Sequence, residues 1–310
     1  MRILVVGAGA IGGYFGGRLL EAKRDVTFLV RARRAAQLRA TGLVIKSPRG
    51  DFRLANPPCI EAAALRQPFD VILLSCKAYD LEGAIDSFAP AVGPGTVILP
   101  LLNGMRHLDV LEAKFGAGAV LGGQCVISAV LDPDGRILHL NEAHSLTFGE
   151  RSGDRSSRAE AIRSAFAEAN FDTQLSENIL QGMWEKWTFI AAFAGITCLM
   201  RSAIGDIVAA DAAHWATQIY AECAQIAAEA GFAPGERAKE ASLGMVTAPG
   251  SKLTASMLRD IESGGRTEVE QILGDLLRRR KSQTAGLSVL ATAHVHVKAY
   301  EARRQRELGA

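Results

Sequence analysis

The residues with the most explicit chemistry stand near the start of the chain: Gly7-Ala8-Gly9-Ala10-Ile11-Gly12, directly after the apolar run Ile3–Val6. A Gly-x-Gly-x-x-Gly turn between a strand and a helix can hold a pyrophosphate. Gly7 permits the tight turn, Gly9 lets backbone approach phosphate oxygens, and Gly12 lets the following helix pack close to the strand. The N–H groups at the helix start then face the phosphates, and the helix dipole favours their charge. An ordinary glycine-rich β–α turn is the competing account. The flanking context argues against it, with an apolar strand before the turn and Ile11, Phe15, Leu19 and Leu20 on one helical stripe after it. The second strand pattern, Val26–Val30, runs into Arg31-Ala-Arg33-Arg34 and not into the carboxylate that would bind a ribose 2′-hydroxyl. Guanidinium groups match a 2′-phosphate, which they bind in bidentate fashion. Arg31 and Arg34 are the candidate readers and the expected cofactor is NADP(H), with a solvated basic helix start as the competing account of at least one of them.

Lys77 follows the apolar run Val71–Leu74, and Asn103 follows Val97–Leu99. Ligands of open α/β sheets bind outside the carboxyl ends of strands, which places both residues on the cofactor and substrate side. Asn103-Gly104 is also strong turn chemistry. Metal binding is not expected. His294-x-His296 lacks a carboxylate or cysteine at ligand spacing, and cysteines 59, 76, 125, 198 and 223 form no C-x-x-C pair. Their odd number and scatter fit reduced thiols in the cytoplasm, and Cys76 reads as a small core or strand residue.

The elements that must position these residues change character along the chain. Strand patterns at Ile3–Val6, Val26–Val30, Val71–Leu74 and Val97–Leu99 alternate with helical patterns near Ala36–Arg39, Leu81–Phe88 and Met105–Phe115. That alternation implies a parallel sheet with right-handed crossovers. Val126–Leu131, Asp132-Pro-Asp-Gly135 and Arg136–Leu140 read as a hairpin, and Ser145–Phe148 as a further strand. Beyond Arg155 the pattern is helical over Arg158–Ala169, Asn178–Leu199, Asp206–Ala230, Lys252–Glu262 and Thr267–Thr284. The expected class is α/β, with a Rossmann doubly wound sheet over residues 1–176 and an all-helical domain over residues 177–310.

Bulk properties narrow the partners. With 310 residues, 48% hydrophobic residues and a net charge of +2, the chain can bury two cores and has no long-range pull toward nucleic acid or membranes. No apolar run reaches the ~18 residues of a membrane span. Glycine-rich spacing at the start argues against a secretory signal. The basic run Arg278-Arg-Arg-Lys281 reads as part of a helical stretch near or on a solvated face, and the long apolar helices are compatible with a homodimer.

Taken in order, several motifs resemble the ketopantoate reductase (2-dehydropantoate 2-reductase) family. They are Gly7-Ala-Gly9-Ala-Ile-Gly12, Ser75-Cys-Lys77, Leu101-Leu-Asn103-Gly104, Trp184-Glu-Lys186, Ser256-Met-Leu-Arg-Asp260 and Arg266-Thr-Glu268. The resemblance spans most of the chain. It implies an N-terminal Rossmann domain, a helical domain of the 6-phosphogluconate dehydrogenase C-terminal type, and a cleft between them. It implies Lys186 as general acid and Glu268 as the carboxylate that orients the substrate or the lysine. It further implies Asn103 and Ser256 as hydrogen-bond donors to substrate, and Lys77 as a contact near the nicotinamide. Residue chemistry agrees at Lys186, since a lysine embedded in Trp184-Glu-Lys186-Trp-Thr-Phe-Ile is partly desolvated and can donate a proton. The bland accounts remain a surface lysine, a helix-start carboxylate for Glu268, and a backbone-bonded hydroxyl for Ser256.

The match fails at one place. The family usually continues the Lys186 helix with asparagine four and eight residues on and then proline, where this chain has Ile190, Ala194 and Gly195. Ile190 and Ala194, four and eight residues on, share a helical face with Lys186, so substrate contacts there are expected to be apolar. The implied reaction is NADPH-dependent reduction of a 2-oxo acid, ketopantoate to pantoate in pantothenate biosynthesis. A related NADP-dependent dehydrogenase with a more apolar hydroxy- or amino-acid substrate is the alternative, and a catalytically silent NADP-binding sensor stands behind both.

Overall fold

The structure is a computed structural model that describes residues 1–282 and 286–309. Its contacts cluster into two units, one of residues 1–102 and 107–179, the other of residues 103–106 and 180–310.

The first unit holds a parallel sheet of β1 (Arg2–Val6), β2 (Asp25–Leu29), β5 (Cys59–Ile60), β6 (Val71–Leu74) and β7 (Val97–Pro100), in the order β5-β2-β1-β6-β7. β1, β6 and β7 are near-continuous apolar runs because both faces of a parallel sheet are covered. Strand order reverses at β1, whose Val6 is paired with Leu29 of β2 and Leu74 of β6. The glycine turn therefore leaves the sheet at the switch point, where open α/β sheets bind ligands. Crossovers are made by α1 (Ala10–Glu21), α2 (Ala32–Thr41) and α3 (Leu81–Phe88), and α4 (Arg106–Phe115) follows β7.

A second sheet, of which only the hairpin and the Ser145–Phe148 strand were expected, covers the other side of α1. It contains β3 (Leu43–Lys46), β4 (Phe52–Leu54), β8 (Gly122–Leu131), β9 (Ile137–Gly149) and β10 (Asp172–Leu175). The expected hairpin is present, but Ser145–Phe148 is the end of one long strand, β9, and not a strand of its own. Helix α1 is thus buried on two faces, where one apolar stripe was expected. A Cβ on Gly16 would stand 2.6 Å from the Phe28 ring in the parallel sheet, and one on Gly17 would stand 2.7 Å from Ile45 in the second sheet. The pairs Gly12-Gly13 and Gly16-Gly17 let one helix fit between two sheets. α5 (Ser157–Phe166) completes this unit.

The second unit is helical: α6 (Ile179–Met200, crossing the boundary), α7 (Ile204–Ala209), α8 (Ala213–Glu229), α9 (Glu236–Val246), α10 (Ser256–Glu262), α11 (Asp275–Arg278) and α12 (Val289–Leu308). The single helix expected over Asp206–Ala230 is broken by Asp211, which takes a left-handed φ of 57°. The helix expected over Thr267–Thr284 is a π-helical segment, Glu270–Gly274, followed by α11; Thr284 lies outside the described residues. In the basic run, Arg278 and Lys281 are exposed and Arg279 and Arg280 half-buried, and its arginines are ion-paired. Arg278 meets Glu270 at 2.9 Å, Arg279 meets Asp275 at 3.0 Å and Arg280 meets Glu222 at 3.2 Å. Among the described residues, no helix is long and apolar enough to cross a membrane.

Candidate active site

The glycine turn after β1 is shaped by two glycines that packing or backbone requires and one that neither does. Gly7 has φ 93° and donates its N–H to the Leu29 carbonyl at 2.9 Å. A Cβ on Gly12 would lie 2.2 Å from the Gly7 carbonyl oxygen and 2.1 Å from Ser75 Oγ, which itself donates to the Val6 carbonyl at 3.0 Å. Gly9 is different. It stands at the N-cap of α1 with φ −81° and ψ −161°, and no atom lies within 4 Å of where its Cβ would be. No side chain caps α1 and no acidic residue stands in its first turn. Helix-start N–H groups with open space at Gly9 fit an approaching pyrophosphate. Ala8 is buried in this turn, while Ala10 and Ile11 are half-buried at the helix start.

The two arginines expected to read a 2′-phosphate are placed differently. Arg31 is the N-cap residue of α2, with a side chain 78% exposed and its NH2 3.2 Å from Asp80 Oδ1. Arg34 turns into the protein. Its Nε donates to the Ala8 carbonyl at 2.9 Å, and its NH1 donates to Gln37 Oε1 at 2.6 Å and to the Gly135 carbonyl at 3.0 Å. Burial pulls its pKa down, though an arginine remains charged. Lys77 is half-buried and caps the 3-10 turn Ala78–Asp80 just beyond β6, so the Arg31–Asp80 pair brings this turn beside the start of α2.

In the helical unit, α6 carries Lys186, Ile190 and Ala194. Lys186 and Ile190 are half-buried and Ala194 is 2% exposed. Gly195 continues the helix where the family usually has proline. A Cβ there would come within 2.4 Å of Ile219 on α8 and 3.6 Å of Ala293 on α12, so close packing favours glycine.

The π-helical segment ties several candidates together. The Trp187 indole N–H, beside Lys186, donates to the Ile272 carbonyl at 2.9 Å. The Gln271 side-chain amide donates to the Asn103 carbonyl at 2.9 Å. Gly104 has φ 79°, and a Cβ on it would sit 2.9 Å from the Gln271 carbonyl oxygen. Glu268, 8% exposed, accepts the Ile272 N–H on its carbonyl at 2.9 Å. Just before it, Thr267 donates its N–H and hydroxyl to Glu301 Oε1 of α12 at 2.5 and 2.7 Å. Single-turn π segments often mark functional sites. Ser256 stands exposed at the first position of α10 and is not joined to this hub by these bonds. The sequence reading missed Gln271, Trp187 and Glu301 as supports. The available signal was the amide of Gln271 directly before Ile272-Leu273, since buried polar groups find partners.

His294 is part of an ion-pair cluster. Glu270 meets Lys298 and Arg278 at 2.9 Å each and His294 at 3.2 Å. Burial alone would raise the Glu270 pKa, but the three donors outweigh it and hold the carboxyl at about 2. Among the described residues no group of three His, Cys, Asp or Glu side chains could hold a metal ion.

Relatives place these elements in one family. The chain matches the family model "Ketopantoate reductase PanE/ApbA" over residues 3–153 and its C-terminal counterpart over residues 178–301. It is 39% identical over 305 residues to the uncharacterized oxidoreductase YkpB of Bacillus subtilis, covering 98% of this chain and 100% of that one. The crystal structure of 2-dehydropantoate 2-reductase from Geobacter metallireducens superposes with a TM-score of 0.86 at 25% identity, over 96% of this chain and 99% of that one. D-mandelate dehydrogenase, solved with NADH and anilino(oxo)acetate, shares the fold at a TM-score of 0.87 and 20% identity, over 98% of this chain and all of that one. With family models matched across the α/β and the helical parts of the sequence, the chain belongs to the ketopantoate reductase family of oxidoreductases.

Proposed function

We propose that this oxidoreductase uses NADPH to reduce a 2-oxo acid to a 2-hydroxy acid in the cytoplasm. Residues 1–176 would bind the nucleotide, and residues 177–310, with Asn103, would bind the substrate. The observation that carries the reading is Lys186. It is half-buried on an apolar helix, and its neighbour Trp187 is anchored to the π-helical segment that begins just after Glu268.

In this reading the Gly7–Gly12 turn, through the backbone of Ala8, Ala10 and Ile11 as well as its glycines, seats the pyrophosphate. Arg31 meets the 2′-phosphate, with Arg34 nearby, and Lys77 lies toward the nicotinamide. Bound NADPH would supply hydride to the ketone carbon. Lys186 holds the proton that the developing alkoxide takes up, a role worth about 10²–10⁴ in rate. Glu268 keeps the lysine or the substrate in line. Asn103 and Ser256 donate hydrogen bonds to the substrate's carbonyl or carboxylate.

Family membership favours ketopantoate, with pantoate as product. Ile190 and Ala194 favour a second reading, a 2-oxo acid bulkier or more apolar than ketopantoate, because an apolar wall cannot reward a substrate hydroxyl. NADPH oxidation assayed with ketopantoate alongside bulkier 2-oxo acids tests both. A high kcat/KM for ketopantoate with low values for apolar acids would remove the second reading. NADPH binding without oxidation across the whole panel would remove the reductase and leave a nucleotide-binding sensor.

A further inference from the structure

We infer that Arg34 is a positioning residue of the phosphate turn, serving NADPH and NADH alike, and not a reader of the 2′-phosphate, which is left to Arg31 as proposed above. This rests on the dinucleotide reading above and refines it.

The first ground is the peptide that Arg34 holds. Its Nε donates to the carbonyl of Ala8 at 2.9 Å. In a trans peptide the C=O and the next N–H point in opposite directions. Fixing the Ala8 carbonyl toward Arg34 therefore turns the Gly9 N–H away from it. Gly9 is the residue of this turn whose Cβ direction is open, and its backbone is the part that must approach a pyrophosphate. Arg34 sets the orientation of that peptide before any nucleotide arrives.

The second ground is what holds Arg34. Its NH1 is shared by Gln37 Oε1 at 2.6 Å and the Gly135 carbonyl at 3.0 Å. Gly135 ends the Asp132-Pro-Asp-Gly turn between β8 and β9, with φ 82°. That turn is closed by Gly135 N–H on the Asp132 carbonyl at 2.9 Å and by Arg136, whose backbone N–H and Nε reach the Asp132 carboxylate at 2.7 and 2.6 Å. A Cβ on Gly135 would lie 2.6 Å from Arg34 NH1 and 2.3 Å from Gln37 Cδ. The hairpin tip of the second sheet is thus a buttress pressed against the guanidinium.

The third ground is access. Reading a 2′-phosphate takes donors that the ligand can reach. Arg34 has its Nε and NH1 committed, and its NH2 is buried without a hydrogen-bond partner. Arg31, three residues earlier, is 78% exposed. Two arginines of similar spacing are therefore divided between turn geometry, common to both nucleotides, and the phosphate that separates them.

The test measures dissociation constants of NADPH and NADH, with 2′-phospho-ADP-ribose and ADP-ribose as fragment probes, for the wild type, Arg31→Ala, Arg34→Lys and Gly135→Ala. Arg31→Ala should weaken NADPH about 30-fold and NADH less than about twofold, as expected for loss of a charge-assisted contact made to the phosphate alone. Arg34→Lys and Gly135→Ala should weaken both nucleotides by one common factor of about 5–10, leaving the ratio of the two dissociation constants unchanged. A selective loss of NADPH binding in Arg34→Lys would make Arg34 the reader and overturn the inference. So would unchanged binding of both nucleotides in Gly135→Ala, the variant that decides if Arg34→Lys does not fold. A wild type that binds neither nucleotide nor fragment would instead remove the dinucleotide reading itself.

Discussion

Alanine at Gly9 and alanine at Gly12 should have opposite effects on stability and binding. At Gly9 the backbone, φ −81° and ψ −161°, is open to alanine and no atom lies within 4 Å of the new methyl. Alanine is the poorer N-cap, by up to about 1 kcal/mol, but stiffens the unfolded chain by about 0.4–1 kcal/mol. The two nearly cancel, so the Tm of the nucleotide-free protein should stay within about 2 °C of wild type. The methyl would stand where the pyrophosphate comes against the backbone. Losing one charge-assisted N–H contact there costs about 1.5–3 kcal/mol. That is roughly a 10- to 150-fold rise in the Kd for NADPH. At Gly12 the methyl would meet a backbone carbonyl at 2.2 Å, which cannot rotate aside. Overpacking costs about 1–3 kcal/mol, partly offset by about 1 kcal/mol of helix propensity. A net loss of up to about 2 kcal/mol should lower Tm by up to about 8 °C. Scanning calorimetry without ligand and fluorescence titration with NADPH read the two effects separately. Wild-type NADPH affinity in Gly9→Ala would refute the reasoning, because it would mean that no phosphate approaches that backbone.

Further expectations concern the hub and the ion pairs. Gln271→Leu leaves the Asn103 carbonyl without its amide donor and should lower kcat/KM for the 2-oxo acid while leaving NADPH affinity unchanged; equal loss of both would contradict a role confined to the substrate side. Glu270 is ionised with a pKa of about 2 against an ordinary 4.5, so its share of stability is complete above pH 4.5 and is lost as pH falls toward 2. The Tm difference between wild type and Glu270→Gln should therefore be steady near neutrality and vanish toward acid, small throughout because the side chain is 43% exposed. A difference that grows on acidification would contradict it. Asp80→Asn removes the carboxylate 3.2 Å from Arg31 and should tighten NADPH about twofold without changing NADH, as titration of both would show.

Much of the parallel sheet was legible because its strands are buried on both faces and carry uninterrupted apolar runs. Val71–Leu74 and the helix Leu81–Phe88 end where the patterns end. Beyond the β8–β9 hairpin, the second sheet was not legible. Its strands β3 and β4 are short, and β10 is the polar run Asp-Thr-Gln-Leu with no buried residue. The doubled glycines of α1 were the trace of that sheet, since a helix facing one sheet has no use for glycine on two sides. Asp211 breaks a helix without a proline or glycine to announce it. At the site, Gly7, Gly9 and Gly12 were readable from spacing. What separates Arg34 from Arg31 was not, because its partner Gly135 lies 101 residues away in sequence. The π-helical hub was hidden for the same reason, as the bond from Gln271 to Asn103 spans 168 residues.

The central claim is that Lys186 gives the proton in a reduction driven by NADPH. Its most direct test is the turnover and NADPH affinity of Lys186→Ala, measured with the best 2-oxo acid of the panel. The account predicts a kcat lower by about 10²–10⁴ with Kd for NADPH within about twofold of wild type. Unchanged turnover in that variant would contradict it.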